Sequence, residues 1–140
     1  MGKSMTTLIK PFFLFATILI LGCASGPPEK SFDSAVGEWS WQLEAYKGQW
    51  YGGKMMIIDE AKATYTYQDG RIFFYAIDNQ GRWEGFWVEN SGARKCAEKK
   101  YGSTDWGVAT FQFNEAYSKF AGKWNFCGKG EKLEWNGARL

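Results

Sequence analysis

Residues 37–45 read Gly37-Glu38-Trp39-Ser40-Trp41-Gln42-Leu43-Glu44-Ala45. Trp39, Trp41, Leu43 and Ala45 occupy one parity, and Glu38, Ser40, Gln42 and Glu44 the other. Successive side chains of an extended strand point to opposite faces, so this stretch offers one apolar face and one polar face. The same period returns downstream. Ala61, Ala63, Tyr65 and Tyr67 alternate with Lys62, Thr64 and Thr66. Ala109, Phe111 and Phe113 alternate with Thr110 and Gln112, and Phe120, Gly122, Trp124 and Phe126 with Lys119, Lys123 and Asn125. No helical stripe competes, and no proline follows Val36. This is the pattern of half-buried antiparallel strands.

Turn signals separate the runs. Lys47-Gly48, Gln68-Asp69-Gly70, Asp78-Asn79-Gln80-Gly81 and Gly128-Lys129-Gly130-Glu131 each place glycine where a tight turn wants positive φ. Eight strands are predicted, at 37–46, 49–58, 61–67, 71–77, 82–89, 107–114, 119–127 and 132–139. Short links make them a meander. The fold class is therefore all-β, an antiparallel meander of about eight strands closing into an up-and-down barrel, with a two-sheet β-sandwich as the alternative. The one long connection, 90–106, contains Cys96.

The chain has 140 residues, 45% hydrophobic and 23% charged, which suits one folded domain and excludes a disordered chain. Histidine is absent, so mechanisms needing an imidazole base or ligand are excluded. Aromatics are abundant, with eight Trp, seven Tyr and eleven Phe. A formal net charge of +2 gives no sign of a polyanionic partner, so no nucleic acid is expected.

The first 22 residues look like a secretory signal. Lys3 and Lys10 lie in an acid-free start, and Phe12 to Leu21 is apolar apart from Thr17. That run is too short for a spanning helix, which needs about 20 apolar residues. It ends Ile20-Leu21-Gly22-Cys23, which resembles the lipobox of bacterial lipoproteins. The resemblance implies cleavage after Gly22 and lipidation of Cys23, with residues 23–35 a flexible tether and 36–140 the single β domain. It implies a cell-envelope protein held to the membrane by acyl chains alone. With Ala24 next, it faces the periplasm from the outer membrane in a bacterium with two membranes. The alternative is an ordinary signal peptide cut after Ala24. Of three cysteines, a lipidated Cys23 leaves Cys96 and Cys127 as a disulfide pair in an oxidising compartment; two separately buried thiols are the other reading.

Gly-x-Trp recurs at Gly37/Trp39, Gly48/Trp50, Gly81/Trp83, Gly85/Trp87 and Gly122/Trp124. Glycine and tryptophan two apart share a face, and the glycine leaves room for a large ring on the neighbouring strand. Gly37-x-Trp39 on the opening strand with Arg139 on the closing strand resembles the calycin group, the lipocalin- and avidin-like barrels. That resemblance implies an arginine packed over the tryptophan where the barrel closes.

Nothing in the sequence points to catalysis, a cofactor or a metal. Ser-x-x-Lys, Gly-x-Ser-x-Gly and Cys-x-x-Cys are all absent. Glu84 and Glu89 differ in parity and read as solvated surface charge. Asp78-Asn79-Gln80-Gly81 reads as a plain turn rather than a calcium loop. The aromatic residues that break the alternation are the binding candidates: Trp50 and Tyr51, Trp87, and Trp106 at the end of the long loop. The expectation is a non-enzymatic barrel for a small apolar or glycan ligand. The alternative is an envelope interaction, inhibitor or structural module with a filled barrel, partnered by an envelope protein.

Overall fold

The computed structural model describes residues 32–140, Ala93 excepted; the predicted signal 1–22, the lipidation site Cys23 and the tether up to Ser31 lie outside the described residues. After a 3-10 turn, η1 (Phe32–Ser34), come β1 (Gly37–Tyr46), β2 (Gln49–Ile57), β3 (Lys62–Tyr65), β4 (Gly70–Ile77), β5 (Arg82–Glu89), β6 (Asp105–Phe113), β7 (Lys119–Phe126) and β8 (Leu133–Arg139). The order is sequential and the sheet is a closed barrel, with every neighbouring pair antiparallel. β1 meets β8 from Trp39↔Arg139 to Leu43↔Trp135, which leaves no free edge and excludes the sandwich.

The predicted strands fall within two residues of the observed ones at every boundary, because the inward parity is set by burial. Trp39, Trp41 and Leu43 are buried in β1, while Glu38 and Gln42 are exposed. Of the glycines in the Gly-x-Trp repeat, Gly122 seats a ring as expected, whereas Gly48 faces open space, Gly37 faces the Arg139 guanidinium, and Gly81 and Gly85 face backbone of a neighbouring segment. A Cβ on Gly122 would lie 2.6 Å from the Phe111 ring, and one on Gly85 would crowd the β4 backbone and Ile72. The turn before β4 departs from expectation. The positive φ falls on Gln68 (49°) and Asp69 (51°) instead of Gly70. Gly70 is required for another reason: the Tyr65 ring lies across it, 2.0 Å from where a Cβ would be. β3 ends at Tyr65, two residues short of prediction, and the turn through Gln68 and Asp69 follows.

The two ends of the barrel differ. At the end carrying the chain's entry, the core is filled. Trp39 and Trp83 both pack edge to face on Phe113, and Phe111 is fully buried against Phe120. The packed domain reaches back to Phe32, ahead of the predicted start at 36. Ala35 is fully buried and its carbonyl accepts the Trp39 indole N–H at 2.9 Å, and Phe32 meets the Trp83 ring. Arg139 covers this end. Its guanidinium lies 5.4 Å over the Trp39 ring and donates to the carbonyls of Ser34, Val36 and Tyr117. The opposite end, with the β1–β2, β3–β4 and β7–β8 turns and the long 90–104 connection, is open.

Candidate functional site

The open end holds a cavity of about 250 Å³. Its floor is the Trp135 ring, and Leu43, Trp87, Trp124 and Phe126 form apolar wall. The polar wall is Tyr65, Glu89 and Asp105, with Tyr51, Tyr67 and Arg94 toward the rim. Each of these has a strand-level cause. Trp83, Gly85, Trp87 and Glu89 share the inward parity of β5. In β6 the parity that buries Phe111 and Ala109 continues back through Gly107 to Asp105. Glu89 and Asp105 are direct cross-strand partners, so two carboxyls stand side by side inside the mouth.

Both carboxyls are buried, Glu89 with 9% and Asp105 with 2% exposure. The Tyr65 hydroxyl donates to Glu89 Oε1 at 2.8 Å. Burial pushes the Glu89 carboxyl up to about 7; the Tyr65 hydrogen bond opposes the rise and the Asp105 charge adds to it. Burial and the Glu89 charge drive the Tyr65 hydroxyl well above its ordinary value. Asp105 Oδ2 accepts from Lys95 Nζ at 2.5 Å, while Oδ1 has no hydrogen-bond partner among the described residues. The Trp135 indole N–H is likewise buried with no acceptor among the described residues.

The long connection builds one side of this mouth. Asn90 and Ser91 reach the β3–β4 turn, through the Asn90 N–H to the Gln68 carbonyl at 3.1 Å and the Ser91 hydroxyl to Gln68 Oε1 at 2.5 Å. Arg94 lies 4.7 Å over the Phe126 ring. Beyond it, Cys96 and Cys127 are disulfide-bonded, which ties the connection to the end of β7. Cys127 sits on the outer side of the barrel wall, as its parity requires.

The four aromatic candidates separate. Tyr51 is half exposed and lines the cavity, beside Tyr67 at 6.1 Å. Trp50, also half exposed, has the opposite parity and points off the outer face of the same hairpin. Trp87 is not an exposed ring. It is 3% exposed, its indole N–H donates to the Asn125 carbonyl at 3.0 Å, and Trp124 packs against it, so it serves as cavity wall. Trp106 is not exposed either. It is buried on the outer side with Val88 and Cys96, beneath the long connection, and donates to the Glu98 carbonyl at 2.8 Å. Rings occur on both faces of β5 because that connection covers the outer face.

Glu84 does lie on the surface, paired with Arg82. Glu89 does not, which overturns its reading as solvated charge. Its signal was available: it shares parity with Trp83 and Trp87. Asp105 carried a weaker one, because β6 begins two residues before its predicted start. Protein-family models, curated proteins and solved structures give no match to this chain.

Proposed function

We propose that this barrel is the ligand-binding domain of an exported lipoprotein, anchored in the cell envelope through Cys23 and facing the periplasm where a second membrane exists. The barrel binds a small molecule without chemically altering it. The observation that carries the reading is the mouth cavity, which joins an aromatic wall to convergent polar groups at one end of an otherwise filled barrel. The Arg139–Trp39 contact supports kinship with calycin-like barrels. The cavity suits a compact molecule, on the scale of one sugar ring or one substituted aromatic ring.

The test is a titration of the protein with cavity-sized amines, monosaccharides and aromatic compounds, read by tryptophan emission. Trp87, Trp124 and Trp135 line the cavity and will report its occupancy. Ala45→Trp, placed on the cavity wall, should abolish the response while the melting temperature holds. Absence of any response across the three classes overturns the reading.

A second reading, an envelope-protein interaction module, rests on the outer face of β4 and β5. Phe73 stacks on Tyr101 at 3.8 Å, Tyr75 packs on Phe86 at 4.8 Å, and Tyr75 and Tyr101 are half exposed. A photocrosslinking residue at position 101 should then give one discrete adduct in intact envelopes, lost in Tyr75→Ala; no adduct removes this reading.

A further inference from the structure

The mouth cavity contains an acceptor that the described residues leave unsatisfied. Asp105 is almost fully buried and its Oδ1 has no donor among the described residues. An unpaired carboxylate oxygen in an apolar site is costly. Gly92 stands in front of it, and a Cβ there would come within 2.9 Å of Oδ1. The missing side chain leaves that space to the cavity which Gly92 and Asp105 both line. Glu89, the direct cross-strand partner of Asp105, adds a second acid, and like charges placed opposite one another repel.

The groups around this pair are unequal to it. Tyr65 from β3, Tyr51 from β2 and Tyr67 from the β3–β4 turn supply hydroxyls. Arg94 and Lys95 from the long connection supply cations, but both are exposed at the rim. Arg94 covers the Phe126 ring and Lys95 engages Asp105 through Oδ2. Among the described residues Glu89 therefore has a hydroxyl donor and no ion-pair partner.

We infer that the cavity takes a small organic ammonium ion, a protonated primary amine whose N–H groups reach the Asp105 and Glu89 carboxylates while its carbon body lies on the Trp87 and Trp124 rings. This rests on the reading of the cavity as a ligand site. An ammonium supplies both donors for Oδ1 and a positive charge for Glu89, which the Lys95–Asp105 ion pair leaves without one. Ring faces of tryptophan attract a cation further. A neutral hydroxyl compound supplies donors without charge, and a quaternary ammonium supplies charge without donors. Since burial holds the Glu89 carboxyl up to about 7, binding draws off a proton near neutrality. Affinity therefore rises between pH 6 and 8, a range over which an alkyl amine stays protonated.

Calorimetry on the detergent-solubilised full chain tests this with benzylammonium, benzyl alcohol, benzyltrimethylammonium and N-acetylglucosamine as probes. Benzylammonium should bind about tenfold or more tightly than the other three, the scale of one hydrogen bond to a charged group. Its affinity should climb from pH 6 to 8. Asp105→Asn should lose about the same factor. Glu89→Gln, which keeps an acceptor for Tyr65, should flatten the pH profile, and it decides the matter if Asp105→Asn does not fold. Equal binding of the alcohol or the sugar overturns the ammonium class and leaves the cavity reading standing. A folded Asp105→Asn with unchanged amine affinity also overturns it. No binding by any probe removes both.

Discussion

Trp87 and Trp106 lie on adjacent strands, one ring inside the barrel wall and the other outside it under the long connection. Truncating Trp87 removes a packed ring and the hydrogen bond to the Asn125 carbonyl, so Trp87→Ala should cost about 3–5 kcal/mol, the usual range for a large aromatic in a core. Thermal melts check it, and a melting temperature within two or so degrees of the parent would mean that the ring is not structural. Glu89 gives a second expectation at this scale. Its folded carboxyl titrates at about 7, above the ordinary value of 4.5. Below the ordinary value both folded and unfolded carboxyls are protonated, and burial is not opposed. As pH rises through the folded value the native state must hold a buried charge, so stability present in acid is lost. Glu89→Gln removes that charge and keeps the Tyr65 acceptor. It should melt higher than the parent at pH 8, by about 1–3 kcal/mol of stability, and equal it near pH 4. A parent and variant with parallel pH profiles would contradict the burial argument.

Among the elements, the 90–104 connection is the one that the sequence pattern describes least and the site uses most. It has no period, yet it covers Trp106 and Val88, places Arg94 over Phe126 and sets Lys95 on Asp105. Its main attachment is the Cys96–Cys127 bond, spanning 31 residues of sequence. In the chain-entropy model such a closure stabilises by about 3–4 kcal/mol. Replacing both cysteines with serine should raise amide hydrogen exchange through 94–104 well before it affects β1 or β7; uniform loosening of the barrel would show that the connection is not a separate unit. The contrast explains what could be read in advance. Strands with one buried face announce themselves by alternation, so the eight elements, the meander and the inward placing of Trp39 and Trp124 were legible. Closure was favoured because eight strands in sequential order can leave no edge. The mouth was not legible. Glu89 and Asp105 are polar residues on apolar parities, where period alone assigns solvent or error. Trp87 and Trp106 broke the alternation because a non-periodic segment buries the outer face, a contact between residues far apart in type and pattern.

For the molecule as a whole, the direction of the mouth matters. The chain enters at the filled end, where Phe32 and Ala35 pack against Trp83 and Trp39, and the cavity opens at the other end among the β1–β2, β3–β4 and β7–β8 turns. An acyl group on Cys23 would therefore attach the barrel by its closed end, nine residues before Phe32, and leave the mouth facing away from the bilayer. Two outcomes follow for Cys23→Ser. First, the domain should move from the membrane fraction to the soluble fraction, since on the lipoprotein reading acyl chains would supply the attachment, at about 0.8 kcal/mol per buried methylene. Second, affinity for a small water-soluble probe of the cavity should be the same for the released domain and for the anchored protein in intact vesicles, because the membrane neither covers nor completes the site. Fractionation followed by the same titration on both samples measures each point. Retention of the variant in the membrane would remove the lipid anchor. Release accompanied by a large gain in affinity would show instead that the mouth is turned toward the bilayer, and that the tether folds the barrel back on the surface to which it is attached.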